Sequence, residues 1–172
     1  MMPYRRGLSR DLRWAAHSGC KMHRRRFLLL SSALTLAPGL SAAATRTVWS
    51  APEAAAALAD GDISLIDVRS RPEWQDTGLP EGAWPISMHE DRFEERLFAA
   101  RDLSDTRPVA LICATGGRSA RLLAALTRAG YAGFIDVSEG MLGSRRGPGW
   151  IARGLPTTDF SMALTHLPAS LR

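Results

Sequence analysis

Past residue 44 the chain carries one cysteine, Cys113, no lysine, and two histidines, His89 and His166. A single thiol leaves no intrachain disulfide to form and no cysteine pair to hold a metal ion. The two histidines stand far apart in sequence, so the pattern names no metal site and calls for no cofactor. The same segment holds 14 arginines against 16 acidic residues, with no basic tail and no long basic stripe. The charge footprint of a nucleic-acid binder is missing. Internal repeats and low-complexity stretches are also missing, which excludes solenoids and arrays.

What excess of positive charge there is sits at the start. The 172 residues have a formal net charge of +5, and residues 1–44 supply it with 8 basic residues against 1 acidic. From Met22 the sequence runs MHRRRFLLLSSALTLAPGLSAAA, with a basic beginning, an apolar stretch Phe27–Leu36, Pro38, and small residues ending at Ala44. This is the layout of a secretory signal. We expect a leader over 1–44, started at Met22 and cut near Ala44, followed by a single domain over 45–172. A membrane anchor is the alternative, but the apolar stretch is short of the ~20 residues a spanning helix needs. No stable membrane insertion is expected after cleavage. Arg24-Arg25-Arg26-Phe27-Leu28 resembles the twin-arginine export motif, although His23 stands where Ser or Thr is usual and three arginines also suit an ordinary signal. The expected location is the periplasm.

The remainder alternates between helix and strand signals. Thr47-Val48-Trp49 suits a short strand. Ser50 to Glu53 has the form of a capping box and opens an alanine-rich helix to Ala59. Ile63–Val68 reads as a buried strand, and Ser70 to Glu73 caps a second helix with Pro72 in its first turn. Gly78–Gly82 reads as loop and Ala83–Ile86 as a short strand. Glu90–Ala100 places Phe93, Leu97 and Phe98 on a helix face. Val109–Ile112 lacks polar alternation, as a parallel strand covered on both faces does. Ser119–Ala129 reads as helix, stopped by Gly130, and Gly133–Val137 as a further buried strand. The form of Gly140–Gly154 is left open. The expected fold is α/β in three layers, a mainly parallel four- or five-stranded sheet flanked by helices.

Ligands of such sheets sit beyond the carboxyl ends of the strands, where Cys113 stands. A cysteine inside a strand is usually a small core hydrophobe. This one is followed by Ala114, Thr115, Gly116 and Gly117, a run of small residues able to turn its N–H groups inward around an anion. The helix starting near Ser119 points its positive end at the same space, and Arg118 adds a fixed charge. Such surroundings favour thiolate over thiol. Cys113 and Arg118 are the candidate catalytic residues, with Ala114, Thr115, Gly116, Gly117 and Ser119 as the substrate cradle.

Cys113-Ala114-Thr115-Gly116-Gly117-Arg118 resembles the Cys-x-x-Gly-x-Arg loop of the rhodanese family of sulfurtransferases. Asp67-Val68-Arg69, Glu73-Trp74, Gly78 and Gly82-Ala83 resemble its amino-terminal signature, and Gly154-Leu155-Pro156 its usual ending. The resemblance covers roughly residues 47–157. It implies a rhodanese-like fold and a ping-pong reaction. Cys113 would take sulfur from a small anionic donor such as thiosulfate and pass it as a persulfide to cyanide or a thiol, including a protein thiol. It also implies supporting roles for Asp67, Arg69 and Glu73, with Arg69 paired to Glu73; plain surface pairing is the alternative for those two.

Other readings stay open beside it. A persulfide carrier or binding module for one protein partner has the same loop. A purely structural module is disfavoured by the retained nucleophile, glycine and arginine. Phosphatases and arsenate reductases of related build carry five residues between cysteine and arginine, against four here. One departure concerns Ser138–Trp150, where Glu139-Gly140 replaces a usual glycine pair and Gly143–Gly149 adds glycine-rich loop. Arg145 and Arg146 either meet the anionic donor or belong to a solvated loop. Trp74, Trp84 and Trp150 read as packing anchors, and His89 as a loop residue outside catalysis.

Overall fold

The computed structural model describes residues 46–172. The expected leader, its start at Met22 and its cleavage near Ala44 lie outside the described residues. Among the described residues no helix is long and apolar enough to cross a membrane.

A five-stranded, wholly parallel sheet forms the centre. It contains β1 (Val48–Trp49), β2 (Ser64–Asp67), β4 (Trp84–Pro85), β5 (Val109–Ile112) and β6 (Phe134–Val137), in the order β1-β6-β5-β2-β4. Side chains of a strand alternate between faces, and both faces here are apolar. Ile66, Val68, Val109, Leu111, Cys113 and Phe134 face one cluster, while Leu65, Ala110, Ile112, Ile135 and Val137 face the other. α3 (Phe93–Leu103) and α4 (Gly117–Arg128) cover the first face through Leu97, Ala100 and Leu126. α1 (Ala51–Ala59) covers the second with Ala51 and Ala54, joined by Trp150 of the short α5 (Gly149–Ala152). Each fully buried Ile, Leu or Val contributes ~1.5–3 kcal/mol. A one-residue slip of β5 would exchange its two faces and forfeit that fit. The expected three-layer α/β architecture with a mainly parallel sheet is what forms.

Both capping boxes set helix starts. The Ser50 amide donates to Glu53 at 2.8 Å, opening α1. The Ser70 amide donates to Glu73 at 2.9 Å, opening α2 (Arg71–Thr77) with Pro72 in its first turn.

Three expectations are corrected. Gly78–Gly82 is not all loop: β3 (Leu79–Pro80) pairs antiparallel with β7 (Thr157–Thr158) in a second, two-stranded sheet. A two-residue strand has too little periodicity to read, and its partner lies far along the chain. α3 begins at Phe93 rather than Glu90, because Ser87 to Arg92 is spent on turns ahead of it. α4 begins at Gly117, two residues before Ser119. Beyond β7, α6 (Phe160–His166) and a final 3-10 turn (Ala169–Leu171) bring Leu164, Leu167 and Leu171 onto the first face.

Candidate active site

β5 ends at Ile112, and the chain crosses Cys113 to Gly116 before α4 begins. Gly116 takes φ +77°, the left-handed region, and a Cβ there would stand 2.0 Å from the Ser138 carbonyl oxygen. Only glycine fits. Gly117 differs, since it is the first residue of α4 and a Cβ would meet nothing within 4 Å. The cradle thus uses the backbone freedom of one glycine, where the sequence offered two. A second close approach locks the far side: Gly140, at φ +68°, would put a Cβ 2.5 Å from the Ala114 carbonyl oxygen. The amides of Met141 and Leu142 donate to the carbonyls of Cys113 and Ala114 at 2.9 and 2.8 Å. The segment after β6 is the outer wall of the cysteine loop.

Cys113 is a free thiol with 0% of its surface exposed. It therefore lies beneath its loop and not at an open mouth, packed in the same cluster as Val68, Leu111 and Leu126. Ser119 reaches the sulfur twice: its backbone N–H lies 3.5 Å and its hydroxyl 3.4 Å from Sγ. Among the described residues these are the hydrogen-bond donors on the sulfur. The expected ring of several inward amides is narrower than that, one main-chain N–H in the first turn of α4 plus one side-chain hydroxyl. Ala114 is half-buried and Thr115 exposed, so the cover over the sulfur is thin.

Arg118 reaches across to α2. Both its terminal nitrogens donate to the Glu73 carboxylate, one at 2.9 Å. The Arg118 guanidinium, helped by the Ser70 cap and opposed by partial burial, holds the Glu73 carboxyl at about 2 against its ordinary 4.5. Arg118 is in turn raised, first by Glu73 and more weakly by the charges of Cys113 and Asp67. Its guanidinium also stands 3.4 Å from His89 Nε2. His89, read from sequence as a bystander, is thus at the rim. Its position follows from the turn after β4, which no local pattern announces.

The expected Arg69–Glu73 ion pair does not form. Arg69 pairs with Asp67, its Nε at 3.0 Å from Oδ1 and a terminal nitrogen at 2.7 Å from Oδ2, both side chains being within 1% of full burial. Burial pushes the Asp67 carboxyl up, and the guanidinium pulls against it. The remaining donors of Arg69 reach Thr77 Oγ1 at 2.7 Å and the Gly78 carbonyl at 2.6 Å, tying the end of α2 to the end of β2. What passes from Arg69 to Glu73 is one contact to its backbone carbonyl, at 3.4 Å.

Arg145 and Arg146 are both exposed on the wall loop, at a tight turn where Ser144 and Gly147 bridge. Arg146 acts through its field on Asp136. Two buried carboxylates were missed by the sequence reading. Glu139, 1% exposed, accepts from the Gly149 amide at 3.0 Å, from Arg153 at 2.9 Å and from the Ala51 amide at 3.4 Å. Burial works against its charge, but Arg153 and the two amides outweigh it and hold the carboxyl low. Asp136, 3% exposed, is the one charge inside the apolar strand Phe134–Val137, and that lone carboxylate was the available signal. Among the described residues no group of three or more His, Cys, Asp and Glu side chains is placed to hold a metal ion.

The description "Rhodanese-like domain" belongs to the family model that matches residues 50–144. An uncharacterized protein of Rickettsia conorii is 25% identical over 108 residues, spanning 58% of this chain and 85% of that protein. Among solved structures, the rhodanese-like domain of an Anabaena protein is 21% identical, covers 72% of this chain and 86% of its own, and superposes with a TM-score of 0.51. That is a likeness of fold. The polysulfide-sulfur transferase homodimer of Wolinella succinogenes is 26% identical over 67% of this chain and 80% of its own, with a TM-score of 0.48.

Proposed function

We propose, from the premise that this chain belongs to the Rhodanese-like domain family, that it is a sulfurtransferase working through a persulfide on Cys113. Family membership supports sulfur transfer in general; donor, acceptor and residue roles are our reading. The Cys113 thiolate attacks the outer sulfur of thiosulfate or a similar small anion. A sulfur–sulfur bond forms to Cys113 as the donor's own sulfur–sulfur bond breaks, and sulfite leaves with the electron pair. Cyanide or a thiolate then attacks the terminal sulfur and restores the Cys113 thiolate.

The observation that carries this reading is the pair of Ser119 donors on Sγ, at 3.5 and 3.4 Å, at the positive end of α4. A sulfur anion there has a hydrogen-bonded seat, and a second sulfur takes the space that the Ala114–Gly116 loop opens as it moves. Arg118, fixed by Glu73, offers charge for the donor to approach. Because Sγ is covered, donor entry requires the thin loop to move outward. The four-residue spacing suits one attached sulfur better than a tetrahedral oxyanion, which ranks phosphatase and arsenate chemistry below sulfur transfer. Intact-mass measurement after thiosulfate tests the reading. One added sulfur on the protein and none on Cys113→Ala is expected, and no gain on either would end it.

The buried sulfur also favours a second reading, a carrier loaded or discharged by one protein thiol that opens the loop. Transfer to a copurifying protein without thiosulfate-to-cyanide turnover selects the carrier. For location we propose export by the twin-arginine route to the periplasm, since Arg24 and Arg25 precede Phe27-Leu28. Arg24→Lys with Arg25→Lys should retain the protein in the cytoplasmic fraction, and unchanged periplasmic recovery would reject that route.

A further inference from the structure

The exposed charge of the segment that builds the cysteine loop, α4 and the wall loop has one sign. From Cys113 to Arg153 the chain carries six arginines, no lysine and two acidic residues. Both acids, Asp136 and Glu139, are buried, so the charges this segment shows to solvent are all positive. Two of its arginines are matched, Arg118 by Glu73 and Arg153 by Glu139. Among the described residues Arg121, Arg145 and Arg146 have no acidic partner. Arg145 and Arg146 are exposed at the tip of the wall loop, and the exposed Arg121 follows Arg118 by three residues on the same side of α4. Residues 45–172 hold 16 acidic residues against 14 arginines. The positive rim is therefore a matter of placement and not of a basic composition.

The same wall loop shows an apolar side chain to solvent. Leu142 is 56% exposed, the most open large apolar residue among the described residues. The exposed Ile151 is tied by its amide to the Met141 carbonyl, one residue before Leu142. An isolated surface leucine is ordinary. This one is held against the cover of the sulfur: its amide donates to the Ala114 carbonyl at 2.8 Å, and the Met141 amide to the Cys113 carbonyl at 2.9 Å. Whatever seats on Leu142 bears on the loop that must open.

We propose that Leu142, Arg145 and Arg146, with Arg121 on α4, form the docking surface for an acidic protein segment that carries the acceptor thiol beside an apolar residue. The inference rests on the persulfide reading of Cys113 and adds its partner. An apolar anchor ringed by arginines is the common make-up of a protein interface. Residues 138–147 hold no aromatic on which a base could stack, and Leu142 with Ile151 is too small an apolar surface to hold a bilayer. Once the partner is seated, its thiolate attacks the outer sulfur of the Cys113 persulfide. The bond from that sulfur to Cys113 Sγ breaks, its electron pair stays on Cys113, and the persulfide is then the partner's.

The test uses the full chain carrying Cys20→Ser, loaded with thiosulfate and discharged by synthetic cysteine peptides. One peptide is rich in Asp and Glu, one has Asn and Gln in their place, and one has Lys; each has leucine beside the cysteine. Discharge by the acidic peptide should be about tenfold faster than by the lysine peptide at low salt, the rates converging at high salt. Arg145→Glu with Arg146→Glu should invert the order. Arg107→Glu with Arg128→Glu, the same change of net charge at the amino ends of the strands, should preserve it. Replacing the peptide leucine by serine should slow discharge about threefold in the unaltered protein and leave it unchanged in Leu142→Ser. Equal rates for the three peptides, or an order that survives the Arg145 and Arg146 reversal, would overturn the proposal.

Fluorescence anisotropy of a labelled, cysteine-free acidic peptide on Cys113→Ala separates docking from sulfur chemistry. Binding that the Arg145 and Arg146 reversal abolishes, in a protein that thiosulfate does not load, keeps the docking surface and removes the sulfurtransferase reading. Sulfur loading with charge-blind discharge and no peptide binding removes the docking surface and keeps sulfur transfer. A single-stranded oligonucleotide or anionic vesicles bound more tightly than the peptide, and released by the same reversal, would overturn the assignment to a protein partner.

Discussion

The turns that leave β2 and β5 are built alike and do opposite things. Each runs from a buried parallel strand into a helix, and each carries an arginine shortly after a thiol or a charged side chain. After β2, Arg69 folds back onto Asp67 two residues earlier and both vanish into the interior. After β5, Arg118 makes no hydrogen bond to Cys113 and reaches across to Glu73, at the start of the helix the first turn introduces. The first turn uses its charge to close itself. The second lends its charge to a neighbour and keeps its sulfur accompanied by neutral donors. A brace and a site therefore share one local design and differ in where the arginine goes.

The brace is where the comparison breaks most violently. Arg69→Met should strand a buried carboxylate and cost ~3–5 kcal/mol in urea unfolding. Adding Asp67→Asn should restore much of it. Equal stability of Arg69→Met and the unaltered protein would mean the pair braces nothing.

Next comes the glycine that shapes the second turn. Gly116→Ala forces an L side chain into left-handed backbone and against Ser138, for a loss of about 2–4 kcal/mol together with loss of sulfur uptake by mass. Gly117→Ala, one residue on, should preserve uptake and gain ~0.4–1 kcal/mol, because its conformation is already helical. Similar losses at both positions would contradict the assignment of one strained glycine.

The bridge between the turns should show a milder, pH-dependent effect. Glu73 titrates at about 2 when folded against 4.5 ordinarily. Its contribution is present above pH 4.5 and is lost as pH falls toward 2. Solvent weakens so exposed a pair, so the amount stays under ~1 kcal/mol. Glu73→Gln should flatten the acid decline of stability over that window, read from urea midpoints at successive pH values. The smallest effect belongs to the wall loop. Arg146→Ala should raise the donor KM about two- to threefold at low salt, an effect erased by added salt, while Arg145→Ala should change nothing. Salt-independent loss at Arg145 would reverse that order.

Much of this was legible in the sequence for a physical reason. Strands covered on both faces become unbroken apolar runs, so Val109–Ile112 and Ile63–Val68 announced themselves. Ser-x-x-Glu sequences signal helix starts because the partners are three residues apart. Cys113 could be placed at a strand end from its neighbours alone. What stayed hidden was non-local. Asp67, two residues before Arg69, and Glu73, four residues after it, were both within its reach in the sequence, and only the fold put Arg118 beside Glu73. β3 and β7 find each other across nearly eighty residues. Burial of the sulfur also depends on the segment after β6, whose many glycines gave no period to read.

Gly116 against Ser138 and Gly140 against Ala114 form a mutual handclasp between two loops. Its consequence lies in what the scaffold will permit. Insertion of a fifth residue between Cys113 and Arg118, to accommodate a bulkier oxyanion, would swell the loop into a neighbour that has no slack. Such a redesign would have to rebuild Ser138–Leu142 in the same stroke, so the route from this loop to a wider one requires concerted changes in both loops rather than a series of single steps.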